Sequence, residues 1–219
     1  MTTRRRYDDG CSTAHALDLV GERWALLVVR ELLFGAKRFT DLRAGLPGAS
    51  PNVLSQRLRE LDTAGVLRRR RLPPPAAAWV YELTPWGQQL ETVVAALGMW
   101  GSQSPAMRGD GPISVDSMML ALRTLFAPAR ADGLTADVLV RLGEDGFRAT
   151  VTPEGLRLVR EPVDEPDAVL DTDTVTLNDV LCGRRELEDA VAAGDLEVRG
   201  DDAVALRFLT LFPFPEPVA

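Results

Sequence analysis

Apolar residues recur at helical spacing over four short stretches near the start of the chain. From Ser12 to Val20, the residues Ala16, Leu17, Leu19 and Val20 predict a first helix, with Gly21 as its stop. Arg23 to Phe34 predicts a second, more deeply buried helix, because Trp24, Leu27, Val28, Leu32 and Leu33 cover a broad stripe; Gly35 ends it. Thr40 is expected to cap a third helix over Asp41 to Gly45, and Pro47-Gly48 marks the turn that follows. Ser50 caps a fourth, with Pro51 at its first position, where the missing N–H would be unpaired anyway, and Gly65 as its stop. The period then changes to two. Val66 to Leu72, with four consecutive arginines (Arg68 to Arg71), and Trp79 to Leu83 predict a basic hairpin with three prolines and three alanines at its tip. After Thr84-Pro85, the residues Leu90, Val93, Val94, Leu97 and Trp100 predict one helix towards Ser102.

Residues 102 to 112, SQSPAMRGDGP, have the composition of a linker. Beyond it, Ser114 to Phe126 predicts a helix, and Ala136 to Leu142, Phe147 to Thr152 and Leu156 to Glu161 predict an antiparallel meander with GEDG and TPEG turns. A strand at Thr172 to Thr176, a helical turn at Leu177 to Cys182, a helix at Arg185 to Ala193, a short strand at Leu196 to Arg199 and a helix at Asp201 to Phe212 complete the pattern. The expected fold is an N-terminal winged helix-turn-helix, α with a β-hairpin wing, over residues 1–103. A linker over 104–112 leads to a C-terminal α+β domain with an antiparallel sheet over 113–219.

The 219 residues are 46% hydrophobic and 26% charged, an ordinary globular balance, and no apolar run approaches the roughly 20 residues of a membrane-spanning helix. The N-terminus, MTTRRRYDDGCST, has positive charge but no apolar run behind it, so a cytoplasmic location and no membrane partner are expected. Two cysteines and one histidine cannot make a disulfide framework or a four-cysteine zinc site. With no phosphate-binding glycine motif and no Ser-His-Asp set either, an enzyme, a cofactor and a metal are not expected.

The net charge of -7 argues against nucleic acid until the chain is divided. Residues 1 to 75 hold 14 Lys+Arg and 8 Asp+Glu, a net of +6, whereas residues 113 to 219 hold 10 and 21, a net of -11. On the fourth helix Leu54, Leu58 and Leu61 fall within about 60° of one another on the helical wheel and form the buried stripe. Asn52, Gln56 and Arg59 lie opposite, with Ser55 on the shoulder, side chains that can pair with base edges in the major groove. Arg57 is placed for a phosphate. Lys37 and Arg38, before the third helix, and the wing arginines supply further cations for the backbone. Each of these features alone also fits a solvated surface; their order in a net-positive segment favours double-stranded DNA as partner.

The stretch from Cys11 to about Gly101 resembles the HxlR-type winged-helix transcriptional regulators, relatives of the MarR group. The likeness rests on the Cys, the GERW turn, the RFTDL box, the SQRL helix and the YELTPWG corner, which stand in family order and spacing. That resemblance implies a homodimer whose two recognition helices read half-sites of a pseudo-palindromic operator about one DNA turn apart. It carries DNA contact onto Asn52, Ser55, Gln56, Arg57 and Arg59, and onto Arg70 and Arg71 in the wing; Lys37, Arg38, Thr40 and Ser50 are further candidates for DNA contact. The PPPAAA tip departs from the family in lacking a basic residue. The second half resembles the sterol carrier protein type 2 fold through its strand order and the stretch TVTLNDVLCGRRELEDAVAAGDLEVRGDDAVALRFLTLF. This implies an apolar cavity for a hydrophobic effector. Met118, Met119, Leu122, Leu125, Phe126, Leu206, Leu209 and Phe212 are candidates to line it, and filling an ordinary core accounts for them as well.

Cys11 stands at a helix start near three arginines, where a lowered thiol pKa would suit redox sensing; simple packing is the other reading. His15 lies one turn on, and Cys182 fits a core position. The expected function is a DNA-binding transcriptional regulator modulated by a hydrophobic ligand or by Cys11 oxidation. The rival is a hydrophobic small-molecule binding protein whose winged helix mediates protein contacts. The acidic second half, repelled by phosphates, is expected away from the recognition helices.

Overall fold

Residues 7–107, 111–215 and 218 are described by the computed structural model. They divide into two compact units, residues 1–94 and 95–219. In the first, α1 (Ser12–Val20), α2 (Ala25–Leu32), α3 (Phe39–Gly45) and α4 (Pro51–Thr63) precede a hairpin of β1 (Leu67–Arg71) and β2 (Trp79–Leu83). The core draws on the expected helical stripes: Val28, Leu32, Leu54, Leu58 and Leu61, joined by Val29 and Leu42, are all 2% exposed or less, whereas Leu27, expected in the α2 stripe, is 36% exposed. Each such buried side chain contributes about 1.5–3 kcal/mol by leaving water.

Local chemistry sets the element ends. Ser50 Oγ accepts from the Val53 N–H at 3.4 Å and Pro51 opens α4. The third helix begins earlier than expected, at Phe39, so Thr40 lies inside it and does not cap it. The Asp41 carboxylate, at the third position of the helix, reaches back to accept from the Arg38 N–H at 2.9 Å. Gly48 lies against the Trp24 indole, where a Cβ would overlap the ring. The TPWG corner is a clamp: the Thr84 hydroxyl donates to the Gly65 carbonyl at 2.7 Å, and any side chain at Gly87 would strike the Val66 carbonyl. The one helix expected beyond it is two, α5 (Pro85–Gln88) and α6 (Leu90–Ser102), and the division between the units falls within α6.

In the second unit, α7 (Val115–Leu125) and the single turn α8 (Pro128–Ala131) lead into β3 (Ala136–Leu142), β4 (Asp145–Thr152) and β5 (Gly155–Val159). These are followed by β6 (Ala168–Thr172), α9 (Thr174–Leu181), α10 (Leu187–Ala192), β7 (Leu196–Gly200) and α11 (Asp202–Leu209). The sheet order is β5-β4-β3-β6-β7. The sheet is mixed and not antiparallel, because β6 pairs with β3 in parallel, Val138 opposite Ala168. With β4 on one edge of β3, the chain returning from β5 takes the free edge, and β4 and β5 serve as the long crossover that a parallel pair needs. Asp167 fixes this return: its carboxylate accepts from the Asp137 N–H at 2.7 Å and its carbonyl from the Asp201 N–H at 2.8 Å. The strand expected over Thr172 to Thr176 thus ends at Thr172. Asp173 caps α9 instead, accepting from Val175 and Thr176 N–H, so the threonines continue as helix.

Burial alternates along β3, with Val138 and Val140 fully buried and Asp137 and Arg141 on the other face. The outer face carries ion pairs, Arg148 with Asp137 and Arg141 with Asp171. The inner face meets Met118, Met119 and Leu122 of α7 and Phe208 of α11, all 2% exposed or less.

Candidate nucleic-acid interface

The α4 stripe of Leu54, Leu58 and Leu61 faces inward, which turns the opposite side of the helix to solvent. Asn52 and Arg59 are exposed there, with Ser55 and Gln56 half-buried beside them. The Gln56 Nε2 donates to Glu60 Oε1 at 3.0 Å, and the other Glu60 oxygen holds the Arg57 guanidinium. Arg57 is only 11% exposed and lies 3.8 Å from Glu22 as well. Its position at the edge of the buried stripe draws it onto the helix and away from open solvent. Lys37 is similarly engaged: its ammonium is 3.3 Å from Glu31, a carboxylate fully buried and also held by Arg30 at 2.8 Å. A buried carboxylate needs such partners, so this cation serves the fold first. Lys37 also bridges Tyr81 through two backbone hydrogen bonds, of 3.0 and 2.8 Å, which adds a third extended segment beside the hairpin. Arg38, Thr40 and Ser50 are exposed.

In the hairpin, Arg69 lies opposite Tyr81 and Arg71 opposite Trp79, so these four share one face; Arg68 and Arg70 share the other with Glu82. Glu82 accepts from Arg68 at 2.7 Å and from Arg70 at 2.5 Å. Burial alone would raise the Glu82 pKa, but those two hydrogen bonds outweigh it and hold the carboxyl below its usual range. Arg69 stacks on Trp79 with its guanidinium carbon 4.4 Å from the ring centroid, and Arg71 donates to the Ala77 carbonyl at 3.3 Å. The expected wing contacts, Arg70 and Arg71, therefore differ: Arg70 is already paired, Arg71 is exposed. Arg69 and the organising role of Glu60 were missed by sequence reasoning. The available signal was the period of two, which sets Arg69 across from an aromatic.

Cys11 is exposed at the N-terminus of α1. The Ala14 N–H, then the Thr13 N–H and hydroxyl, face its sulfur and hold the thiol below its ordinary pKa. Cys182 is half-buried; burial pushes its thiol up, against the influence of Arg184. Of the residues expected to line a cavity, Met118, Met119, Leu122, Leu125 and Phe212 are buried, Phe212 against Phe208 and Phe126 with ring centroids 5.0 and 6.2 Å away. Phe126 and Leu209 are half-buried, and Leu206 is 48% exposed, turned out of the core by the α11 period. Among the described residues no cluster of ligating side chains could hold a metal ion, and no helix is long and apolar enough to cross a membrane.

The family model described as HxlR-like helix-turn-helix matches residues 19–107. The HTH-type transcriptional regulator YvaP of Bacillus subtilis is 36% identical over 88 residues, covering 40% of this chain and 82% of its own. The chain belongs to the HxlR-like helix-turn-helix family. The HTH-type transcriptional regulator Rv3095 of Mycobacterium tuberculosis is 38% identical to this HxlR-like chain over 146 residues, 67% of this chain and 86% of that one. That match is longer than the first unit, so the likeness continues into the second. Among solved structures, the redox regulator HypR in its oxidised form is 28% identical and covers 44% of this chain and all of that one, with a TM-score of 0.41. The HxlR match takes in α2 to α6 and so contains every element of the α4 and wing surface.

Proposed function

We propose that this chain is a DNA-binding transcriptional regulator that acts as a homodimer on a pseudo-palindromic operator. One observation carries the reading: α4 turns Asn52, Ser55, Gln56 and Arg59 outward in a domain whose hairpin adds four arginines. Those side chains suit base edges, and the arginines suit phosphates. Membership of the HxlR-like family and relatives named as transcriptional regulators support it.

The homodimer is supported by an unpartnered apolar stripe on α6. Val93, Leu97 and Trp100, at spacings of four and three, are 45%, 47% and 77% exposed. Leu17 and Trp86 in the first unit are also exposed, and a small apolar pocket of about 220 Å³ lies between α1 and Trp86. Modulation has two inlets in this reading: a hydrophobic effector in the second unit, and oxidation of the Cys11 thiol. Either must favour one dimer geometry over another to alter operator affinity.

Gln56→Ala with Arg59→Ala together should abolish sequence preference, on the order of 100-fold, while salt-dependent residual binding remains. Footprinting on DNA selected from random sequence measures it. A double variant that keeps the parent footprint and affinity would overturn the assignment of α4 as the reading helix.

A further inference from the structure

The second unit holds a groove between residues 111–113 and α9, with a volume of about 490 Å³, which is the size of a small-molecule site. Ile113 and Val175, the latter 58% exposed, give it an apolar wall. The polar groups around it differ in what they have left to offer. The Thr174 hydroxyl is committed to the Ile113 carbonyl at 2.9 Å. The Asp179 carboxylate holds Arg184 at 2.8 Å. Asn178 lines the same groove, yet is only 7% exposed, and its side chain has a single weak partner, the Cys182 thiol donating to Oδ1 at 3.7 Å. Both Nδ2 hydrogens are left unpaired. Nδ2 is not sealed in the core but opens on the groove, where water satisfies it, so it is available to an acceptor that enters there.

We propose that this groove binds an uncharged apolar small molecule through a carbonyl-type acceptor that takes the Asn178 Nδ2–H. Charge selects the class. Arg184 is neutralised by Asp179, and residues 113–219 carry 10 Lys+Arg against 21 Asp+Glu, so a carboxylate ligand would sit beside a carboxylate in a negative field. A cationic amine would meet the Arg184 guanidinium and donors on Asn178 that it cannot satisfy. A neutral carbonyl pairs the free donor and lays its apolar body on Val175 and Ile113. The site deepens the effector part of the proposed function and lies apart from the Met118 to Phe212 cluster; it rests on that reading only for its effect on DNA.

The test titrates the full chain, labelled with ¹⁵N and free of DNA, with octanamide, octanoate and octylamine while following the Asn178 side-chain amide signal. Octanamide should give a saturable shift of that signal, and octanoate and octylamine should bind at least about tenfold more weakly. Asn178→Leu should lose octanamide binding while leaving the melting temperature within a few degrees, since the Nδ2 donor it removes has no protein partner. Three results overturn the proposal: no saturable shift with octanamide, equal binding of octanoate, or unchanged binding in Asn178→Leu. A variant that melts many degrees lower also overturns it, because the amide then has a structural partner. A gel shift on the same preparation reads DNA binding separately, so the two readings fail independently.

Discussion

Cys11 and Cys182 show how far placement decides the chemistry of a residue. The amide N–H groups of the first turn of α1 stabilise the Cys11 thiolate, whereas burial disfavours that of Cys182. A lowered pKa gives Cys11 more thiolate than an ordinary cysteine at any given pH, and a raised one gives Cys182 less. Alkylation by iodoacetamide, followed by peptide mass spectrometry from pH 6 to 9, should label Cys11 first, with its rate inflecting at lower pH; equal rates at both sites would refute this. If Cys11 is an inlet for regulation, the labelled protein should also change its operator affinity. The cations were legible in the sequence; which of them are already held was not. Lys37, Arg57 and Arg70 are each engaged by a carboxylate, Glu31, Glu60 or Glu82, in pairs set by a rotamer or a cross-strand register that the sequence pattern does not specify.

Elements were read more reliably where a local signal marked both ends. Ser50-Pro51 and Gly65 bracket α4, and its apolar stripe is the one the spacing predicts. The parallel pairing of β6 with β3 was not legible, because hydrophobic alternation shows that a strand exists but not which edge it joins or in which direction. The Thr172 to Thr176 stretch misled for a related reason: β-branched residues favour strand until a cap such as Asp173 supplies the donors' partner for a helix. On α6, Val93, Leu97 and Trp100 form an exposed apolar stripe. Replacing all three with Ser should convert a homodimer to a monomer of 23.9 kDa without loss of helix content, as measured by sedimentation equilibrium and circular dichroism. A parent chain that already sediments as a monomer would remove the dimer from the proposed function.

At the scale of the whole molecule, charge is partitioned: the first 75 residues hold a net +6 and residues 113–219 a net -11. A single figure for the chain conceals this, which is why the net charge of -7 first argued against DNA. Partition also refines the count of cations available to a polyanion. Glu82 behaves as a counter-ion that the protein carries with it, occupying Arg68 and Arg70 before any nucleic acid arrives. In the proposed function a phosphate has to compete with this resident ligand, so the hairpin should grip random sequence less firmly than four free arginines would. Release from wrong sites should be correspondingly quicker, with discrimination left to α4. Glu82→Gln should therefore tighten binding to non-operator DNA and steepen the dependence of log affinity on log salt by about 0.9 for each arginine set free. The operator preference itself should narrow, which a salt series on operator and random duplexes would measure. In kinetic terms, this one half-buried glutamate would trade grip for search speed.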